Sequence, residues 1–164
     1  MPIGKPTAKD EKMMELAIAE AQTAIDNGLA GVGALLLWQD DILAIAHNMH
    51  VETGDITAHA EMVVLRAAAQ RLNEMTGEEK RALTLYTTLE PCLMCLSAIS
   101  FVGIKRVVYA ALATDAVPED LVAKGITAQK INPLLTRGEI ELVPGVKREA
   151  GRSLLAQMGK LYHF

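Results

Sequence analysis

The sequence predicts one α/β domain, residues 1–164, built around a single five-stranded sheet. Segments with helical spacing of apolar residues interleave with short strand-like segments, an order typical of layered α/β proteins. With 164 residues, of which 51% are hydrophobic, the chain is long enough to bury a core without disulfides. The connection over residues 112–138 has room for a right-handed crossover, so the fifth strand should run parallel to the fourth.

The first half of the chain contains a helix, a hairpin and a second helix. Thr7 is a suitable N-cap because Asp10 follows three residues later, and an Asn-Gly pair at Gly28 ends the helix. The segments VGALLLW and ILAIAH, separated by a polar turn, predict a β-hairpin. After a loop, an Ala-rich helix is expected over Ala58–Leu72.

The second half supplies three strands and two further helices. LTLYTTL suits a pleated surface and is the third strand, while KRVVYAA and EIELV are the fourth and fifth. Pro91 fits the first turn of a third helix that should end near Phe101. A short helix is expected near Pro118–Lys124, and a closing helix over Val146–Leu161 with its apolar residues on one face.

The composition favours a cytoplasmic protein that does not associate with membranes. Its charge argues against nucleic acid as a partner. Lys and Arg number 16 against 20 Asp and Glu, and the basic pairs ending at Arg106 and Arg148 are isolated. The N-terminus has no apolar signal region, and the longest apolar stretch, Leu29–Trp38, is too short to cross a bilayer. Thiols stay reduced in the cytoplasm, which disfavours a structural disulfide.

The two cysteines of the chain, Cys92 and Cys95, lie one helical turn apart directly after a proline. Alone, such a pair fits a redox motif, a metal site or core packing. His59 and Glu61 open the preceding helix, and both helix starts are expected to meet at one edge of the sheet. A catalytic zinc site takes three N or S ligands and leaves one position for water, so His59, Cys92 and Cys95 are the predicted Zn2+ ligands. Glu61 is then placed beside the ion, where it can transfer protons.

The motifs His-Ala-Glu and Pro-Cys-Leu-Met-Cys together form the H-x-E and P-C-x-x-C signature of zinc deaminases. With TAHAEMVVLRAA, LYTTLEPCLMC and SAISFVGIKRVVYAA, the sequence resembles the cytidine deaminase superfamily, in the branch of guanine deaminases, fungal-type cytosine deaminases and tRNA adenosine deaminases. The resemblance implies a three-layer fold, with a five-stranded mixed sheet and helices on both faces. It also implies a hydrolase that acts on the C–N bonds of cyclic amidines, with Glu61 as the catalytic residue, and a homodimer.

The resemblance further implies contacts with the substrate, for which local structural roles remain the alternative. Asn48 is equally a turn former after a strand, the acidic residues after the fourth strand are equally a solvated loop, and the aromatic C-terminus is equally a cap on the core. The candidate substrate-binding residues are Asn48, Ala58, Leu89, Asp115, Asp120, Tyr162 and Phe164.

The predicted substrate is a small nucleobase or nucleoside, of the guanine or cytosine type. The net charge of −4, the lack of a basic C-terminal tail and the low aromatic content of 4% argue against an RNA reader. Deamination of adenosine in tRNA is the alternative. A zinc-stabilised binding domain without turnover is an alternative of another class, and the presence of Glu61 argues against it because a structural zinc site takes a fourth ligand instead.

Overall fold

The computed structural model describes residues 3–158, which form one sheet with helices on both faces. The strands lie in the order β2-β1-β3-β4-β5; β1 is antiparallel to β2 and β3, whereas β3, β4 and β5 are parallel. The predicted mixed sheet, including the parallel fourth and fifth strands, is confirmed. The strands are β1 Gly33–Trp38, β2 Asp41–His47, β3 Leu83–Leu89, β4 Arg106–Ala111 and β5 Glu141–Pro144.

Eight α-helices and three short 3-10 turns are found within residues 3–158, and none of these helices combines the length and apolar character that crossing a membrane requires. The 3-10 turns are Ala113–Asp115, Pro118–Asp120 and Asn132–Leu134. The helices are α1 Ala8–Asp26, α2 His50–Thr53, α3 Ala60–Ala67, α4 Ala69–Glu74, α5 Gly77–Arg81, α6 Leu93–Val102, α7 Ala128–Ile131 and α8 Arg148–Met158.

Of the first two predicted helices, one is present as expected and the other is divided into two. Thr7 caps α1 through the expected reciprocal pair with Asp10, so that helix is confirmed. The single helix predicted over Ala58–Leu72 is wrong, because Ala68, with φ −89° and ψ 3°, separates α3 from α4. Ala68 is buried, and no glycine or proline marks the break in the sequence.

The remaining helix boundaries differ from the prediction at their ends. Cys92 is the N-cap of α6, so Pro91 precedes the helix and does not lie in its first turn. The expected helix near Pro118–Lys124 is reduced to a single 3-10 turn. The closing helix begins at Arg148, and the end predicted at Leu161 lies outside the described residues. The helices α2 and α5 were not predicted.

Two cores lie on opposite faces of the sheet. Successive residues of a strand point to opposite faces, so Leu85 packs towards α3 and α6 whereas Tyr86 packs towards α1. On one face the core includes Leu36, Val64, Leu85, Leu96 and Tyr109. On the other face it includes Met14, Leu35, Tyr86, Val108 and Val143. This three-layer arrangement places the starts of α3 and α6 together on one side of β3.

Asp10 is the centre of a buried ion network on the α1 face. Its carboxylate accepts hydrogen bonds from Arg106 Nη1 and Nη2 at 2.7 and 2.9 Å, from Tyr86 Oη at 2.9 Å and from the Thr7 N–H at 2.8 Å. Burial alone would raise the pKa of Asp10, but these donors lower it to about 2. The network ties α1 to β3 and β4.

The helix α8 approaches the sheet closely at Gly151. A Cβ at this position would lie 2.7 Å from the Ala111 backbone nitrogen and 3.0 Å from the Thr88 carbonyl oxygen. Only glycine therefore allows this distance between helix and strand. The close packing carries α8 over the ends of β3 and β4.

Candidate metal centre and active site

The predicted ligands lie together at the N-terminal ends of two helices, beside the carboxyl end of β3. His59 is the N-cap of α3, Cys92 is the N-cap of α6, and Cys95 lies in the first turn of α6. His59 Nδ1 is 3.7 Å from Cys92 Sγ and 3.6 Å from Cys95 Sγ. One donor atom from each of the three residues lies within 4.8 Å of the others.

These distances match a tetrahedral zinc ion. With Zn–N of about 2.05 Å, Zn–S of about 2.3 Å and tetrahedral angles, an N and an S ligand are about 3.6 Å apart. The observed Nδ1–Sγ distances of 3.6 and 3.7 Å meet that requirement. Two sulfurs and one nitrogen are also a donor set that zinc prefers, and three ligands leave one position for a further group.

The three ligands alter the pKa values of one another because they lie in direct contact. A hydrogen bond from the Cys95 thiol lowers the pKa of Cys92 to about 4, and the same bond raises the pKa of Cys95. The hydrogen bond to Cys92 raises the pKa of His59. Thiolates are stabilised at helix N-termini, and a metal ion deprotonates a coordinating thiol outright.

Glu61 lies beside this triad and is almost completely buried, with 3% of its surface exposed. Its Oε1 is 3.3 Å from the Thr87 hydroxyl, which is also 3.2 Å from the Leu89 carbonyl oxygen. Burial raises the pKa of Glu61. A carboxyl group with a raised pKa is suited to take up and release protons near neutral pH.

A cleft of about 700 Å³ opens above His59. Asn48, His50 and Ile56 form one wall, and the segment after β4 forms the opposite wall with Ala116, Val117, Asp120 and Leu121. The helix α8 forms a roof, from which Arg152 and Ala156 face the cleft. His59 and Leu89 lie at its floor, so a ligand in the cleft would reach the metal centre.

Four of the predicted substrate residues line this cleft, Asn48 and Leu89 among them, but Ala58 does not. Asn48 Oδ1 accepts a hydrogen bond from the Val32 N–H at 3.2 Å, and Nδ2 is 3.4 Å from His50 Nδ1. The Asn48 amide is thereby oriented with its nitrogen towards His50. The Ala58 carbonyl accepts from the Met49 N–H, so this backbone group is engaged within the protein.

The other predicted substrate residues have different surroundings. Asp120 lines the cleft and is exposed. Asp115 also lines it, but its carboxylate accepts hydrogen bonds from Arg148 at 2.7 and 2.9 Å and from the Leu112 N–H at 2.8 Å. Asp115 therefore ties the wall of the cleft to the roof. Tyr162 and Phe164 lie outside the described residues.

Several residues at Glu61 or in the cleft were not predicted from the sequence. Thr87 faces Glu61 because of its register on β3, and the alternation of that strand was a usable signal. His50 and Ile56 were read as part of a loop, and Arg152 as part of a helix capping the core. Their place in the cleft depends on contacts between distant segments, which local patterns do not encode.

A family model described as the cytidine and deoxycytidylate deaminase zinc-binding region matches residues 7–111. This range is more than half of the chain and includes all three candidate ligands and Glu61. The chain belongs to this deaminase family. Zinc, predicted from the donor set, is confirmed as the family's metal.

Relatives within the deaminase family include a tRNA-specific adenosine deaminase of Agrobacterium fabrum, 40% identical over 104 residues. The match covers 63% of this chain and 66% of that enzyme, so the chain spans just under two thirds of the relative's length. The tRNA-specific adenosine deaminase of Aquifex aeolicus is 39% identical over 102 residues, covering 62% of this chain and 66% of that enzyme.

Solved structures share the deaminase fold over most of the chain. A structure from a study of A-to-I editing by tRNA deaminases at the wobble position superposes with a TM-score of 0.71 at 32% identity, covering 88% of this chain and 99% of that one. A guanine deaminase from Nitrosomonas europaea superposes with a TM-score of 0.76 at 22% identity, covering 97% and 87%. The second likeness concerns the fold alone.

Proposed function

We propose that the protein is a zinc-dependent hydrolase that releases ammonia from an amino-substituted nucleobase. The observation that carries the proposal is the buried Glu61 carboxyl beside three ligands that fit zinc, one of which, His59, lines a cleft. A binding domain without turnover has no use for a buried carboxyl group whose charged form is supported as weakly as that of Glu61, with the Thr87 hydroxyl at 3.3 Å, because burying it costs free energy. In an enzyme, that carboxyl group moves protons.

The reaction replaces an exocyclic amino group with an oxygen atom from water. His59, Cys92 and Cys95 would hold a zinc ion, which would supply a Lewis acid that makes water a stronger nucleophile at neutral pH. Glu61 takes a proton from the attacking water, donates one to the ring nitrogen and assists the departure of ammonia. In the balanced reaction, water and the amino-substituted base give the oxo-substituted base and ammonia.

Asn48 is assigned to positioning the base. Its Oδ1 accepts from the Val32 N–H, and its amide nitrogen has two N–H donors, of which one can face His50 Nδ1 and the other is left for a ring acceptor of the substrate. Leu89 provides an apolar contact next to the metal centre. Asp120 is exposed at the mouth and is a second polar contact in the proposal.

For the substrate, we propose adenosine in tRNA, the alternative in the sequence analysis, in place of the guanine or cytosine type. Support comes from the similarity to the tRNA-specific adenosine deaminases of Agrobacterium fabrum and Aquifex aeolicus, at 40% and 39% identity. In this proposal the partner is a nucleic acid, although the net charge of the chain argued against one. The low positive charge of the chain is compatible with contacts limited to a few phosphates.

A free base is the second candidate, and the charges of the cleft favour it. Asp120 and Glu149 line the cleft together with Arg152, whose guanidinium is 3.1 Å from Glu149. A wall with this acidic balance repels phosphate groups. The roof formed by α8 also narrows the approach of a polynucleotide and suits a small neutral ring.

The experiment is a direct comparison of substrates with one preparation of zinc-loaded protein. Ammonia release is measured with guanine, cytosine, adenosine and cytidine, and inosine formation is measured in an RNA anticodon stem-loop with adenosine at the wobble position. We expect the stem-loop to react, and a matched stem-loop with guanosine at that position to remain unchanged. Reaction of guanine alone would transfer the assignment to the second candidate, and no reaction of any substrate would contradict the proposed function.

The oligomeric state, the domain assignment and the location are further parts of the proposal. We propose a homodimer, the state that the resemblance to the deaminase superfamily implies, and Phe101 on α6, 71% exposed, is a residue that such an interface could cover. Light scattering at micromolar concentration tests this.

The assignment of residues 1–164 to one deaminase domain extends the matched range 7–111 through β5 and α8, which complete the sheet and the cleft. Cytoplasmic location stays a prediction.

A further inference from the structure

The wall segment, residues 112–128, connects β4 to α7 and forms one side of the cleft. Glu90 is buried beneath it, with 8% of its surface exposed. One carboxylate oxygen accepts a hydrogen bond from the Ala113 N–H at 2.8 Å, and the other accepts from the Ala128 N–H at 2.7 Å. A single side chain therefore binds both ends of the wall segment.

These two N–H groups belong to the starts of helical turns. Ala113 is the first residue of a 3-10 turn, and Ala128 is the first residue of α7. Such groups have no partner within their own turn, so they need an acceptor when they are buried. Holding two distant points of a loop together costs conformational entropy, and charge-assisted hydrogen bonds to a carboxylate offset that cost.

The position of Glu90 is fixed relative to the metal ligands. Glu90 stands two residues before Cys92, and Pro91 between them restricts the backbone on both sides. The Glu90 N–H also donates to the Ala111 carbonyl at 2.8 Å, which holds this backbone to the end of β4. Any displacement of the Glu90 carboxylate relative to Cys92 is thereby limited.

We propose that Glu90 is a positioning residue that sets the distance between the wall segment and the metal centre. It acts through the wall residues that line the cleft, among them Val117, Asp120 and Leu121, whereas Glu90 itself does not line the cleft and its two carboxylate oxygens are engaged by the wall segment. The inference rests on the proposed function for its effect on the substrate. Its effect on the wall segment is independent of that function.

Glu90→Gln is the variant that tests the proposal. The amide has nearly the same shape, but its single oxygen accepts from one N–H while its NH2 group faces the other donor, so one end of the wall segment is released. In zinc-loaded protein we expect amide hydrogen exchange over residues 112–128 to become about tenfold faster, the factor that loss of one such hydrogen bond corresponds to. Zinc content should be unchanged. In the deamination assay KM should rise about tenfold and kcat should stay within about threefold.

Asp10→Asn is the matched control, because Asp10 is also a buried carboxylate with a backbone N–H partner but lies on the α1 face. It should speed exchange in α1 and leave residues 112–128 and KM unchanged. Unchanged exchange over 112–128 in Glu90→Gln, or faster exchange with an unchanged KM, would overturn the proposal. If the parent deaminates no substrate, the proposed function fails, and the exchange comparison alone decides whether Glu90 holds the wall.

Discussion

The two faces of the sheet each bury a carboxyl group, and the two groups are in opposite states. On the α1 face, Asp10 is 1% exposed and has donors from Arg106, Tyr86 and Thr7, which lower its pKa to about 2. On the α3 face, Glu61 is 3% exposed, has the Thr87 hydroxyl at 3.3 Å, and its pKa is raised by burial. Both carboxyl groups are thus almost completely buried, yet their pKa values are shifted in opposite directions.

The difference shows what each carboxyl group contributes. Asp10 is charged at neutral pH and paired with several donors, so it contributes to the stability of the fold and is unsuited to proton transfer. Glu61 is held where its charged form is disfavoured, an arrangement that costs stability and is typical of catalytic groups. Burial alone does not distinguish structure from function in this chain, but the set of hydrogen-bond donors does.

Removal of a metal ligand should have the largest effect on zinc affinity and activity, and it acts on the face of the sheet that carries Glu61. In Cys95→Ala, two ligands remain, and zinc affinity should fall by more than about a hundredfold, since even the loss of a group behind a ligand costs up to that factor. Deamination should be lost with the metal. Zinc is measured by competition with a chromogenic chelator, and retention of one zinc per chain would show that Cys95 is not a ligand.

Glu61→Gln should leave zinc and fold intact while turnover falls. General acid–base catalysis contributes about a hundred- to ten-thousandfold, and Glu61 serves more than one proton transfer in the proposed reaction. Asp10→Asn is the control on the opposite face and should keep kcat within about twofold in folded protein. Activity of Glu61→Gln within about tenfold of the parent would contradict the assigned role, since that factor is only about 1.4 kcal/mol.

Asp10→Asn should instead act on stability. Breaking a buried ion pair by removing one partner costs about 3 kcal/mol or more, and Glu141 remains to compensate part of the charge of Arg106. For a chain of this size the melting temperature should fall by about 10 °C. Calorimetry of the zinc-loaded variant measures this change, and a fall below about 2 °C would show that the ion network is energetically unimportant.

Lowering the pH should have a smaller effect than these substitutions, and it should act on the free energy of unfolding through Asp10. The pKa of Asp10 is about 2 in the folded protein against an ordinary value of 3.8, so its charged form stabilises the fold above about pH 4. This contribution, about 2 kcal/mol, is lost as the pH falls from about 4 towards 2. Urea unfolding at several pH values should show a steeper loss in the parent than in Asp10→Asn. Parallel curves would contradict the assignment.

Local signals in the sequence were sufficient for the sheet, for α1 and for the metal centre. Thr7 and Asp10 form their cap within four residues, and Cys92 and Cys95 are one turn apart, so both features are encoded in short stretches. His59 was joined to them by the motif and by the topology. The zinc assignment follows from residue types that have few other reasons to occur together.

Features that depend on contacts between distant segments were not predictable. The break at Ala68 has no local marker and depends on how α3 and α4 follow the core. The sequence predicted Asp115 either as a substrate contact or as part of a solvated loop, whereas Arg148, 33 residues away, engages its carboxylate. The substrate class was inferred from composition, and a net charge of −4 averages over surfaces that never meet the substrate.

Gly151 also bears on how this chain can change over time. Because a single added methyl group would meet the Ala111 nitrogen at 2.7 Å, any larger residue at 151 acts as a wedge that lifts α8 from the sheet. Since α8 roofs the cleft, the wedge would enlarge the entrance without altering a residue that faces the substrate. The height of the roof is therefore an adjustable dimension, through which selection or design can admit bulkier substrates while the metal centre stays as it is.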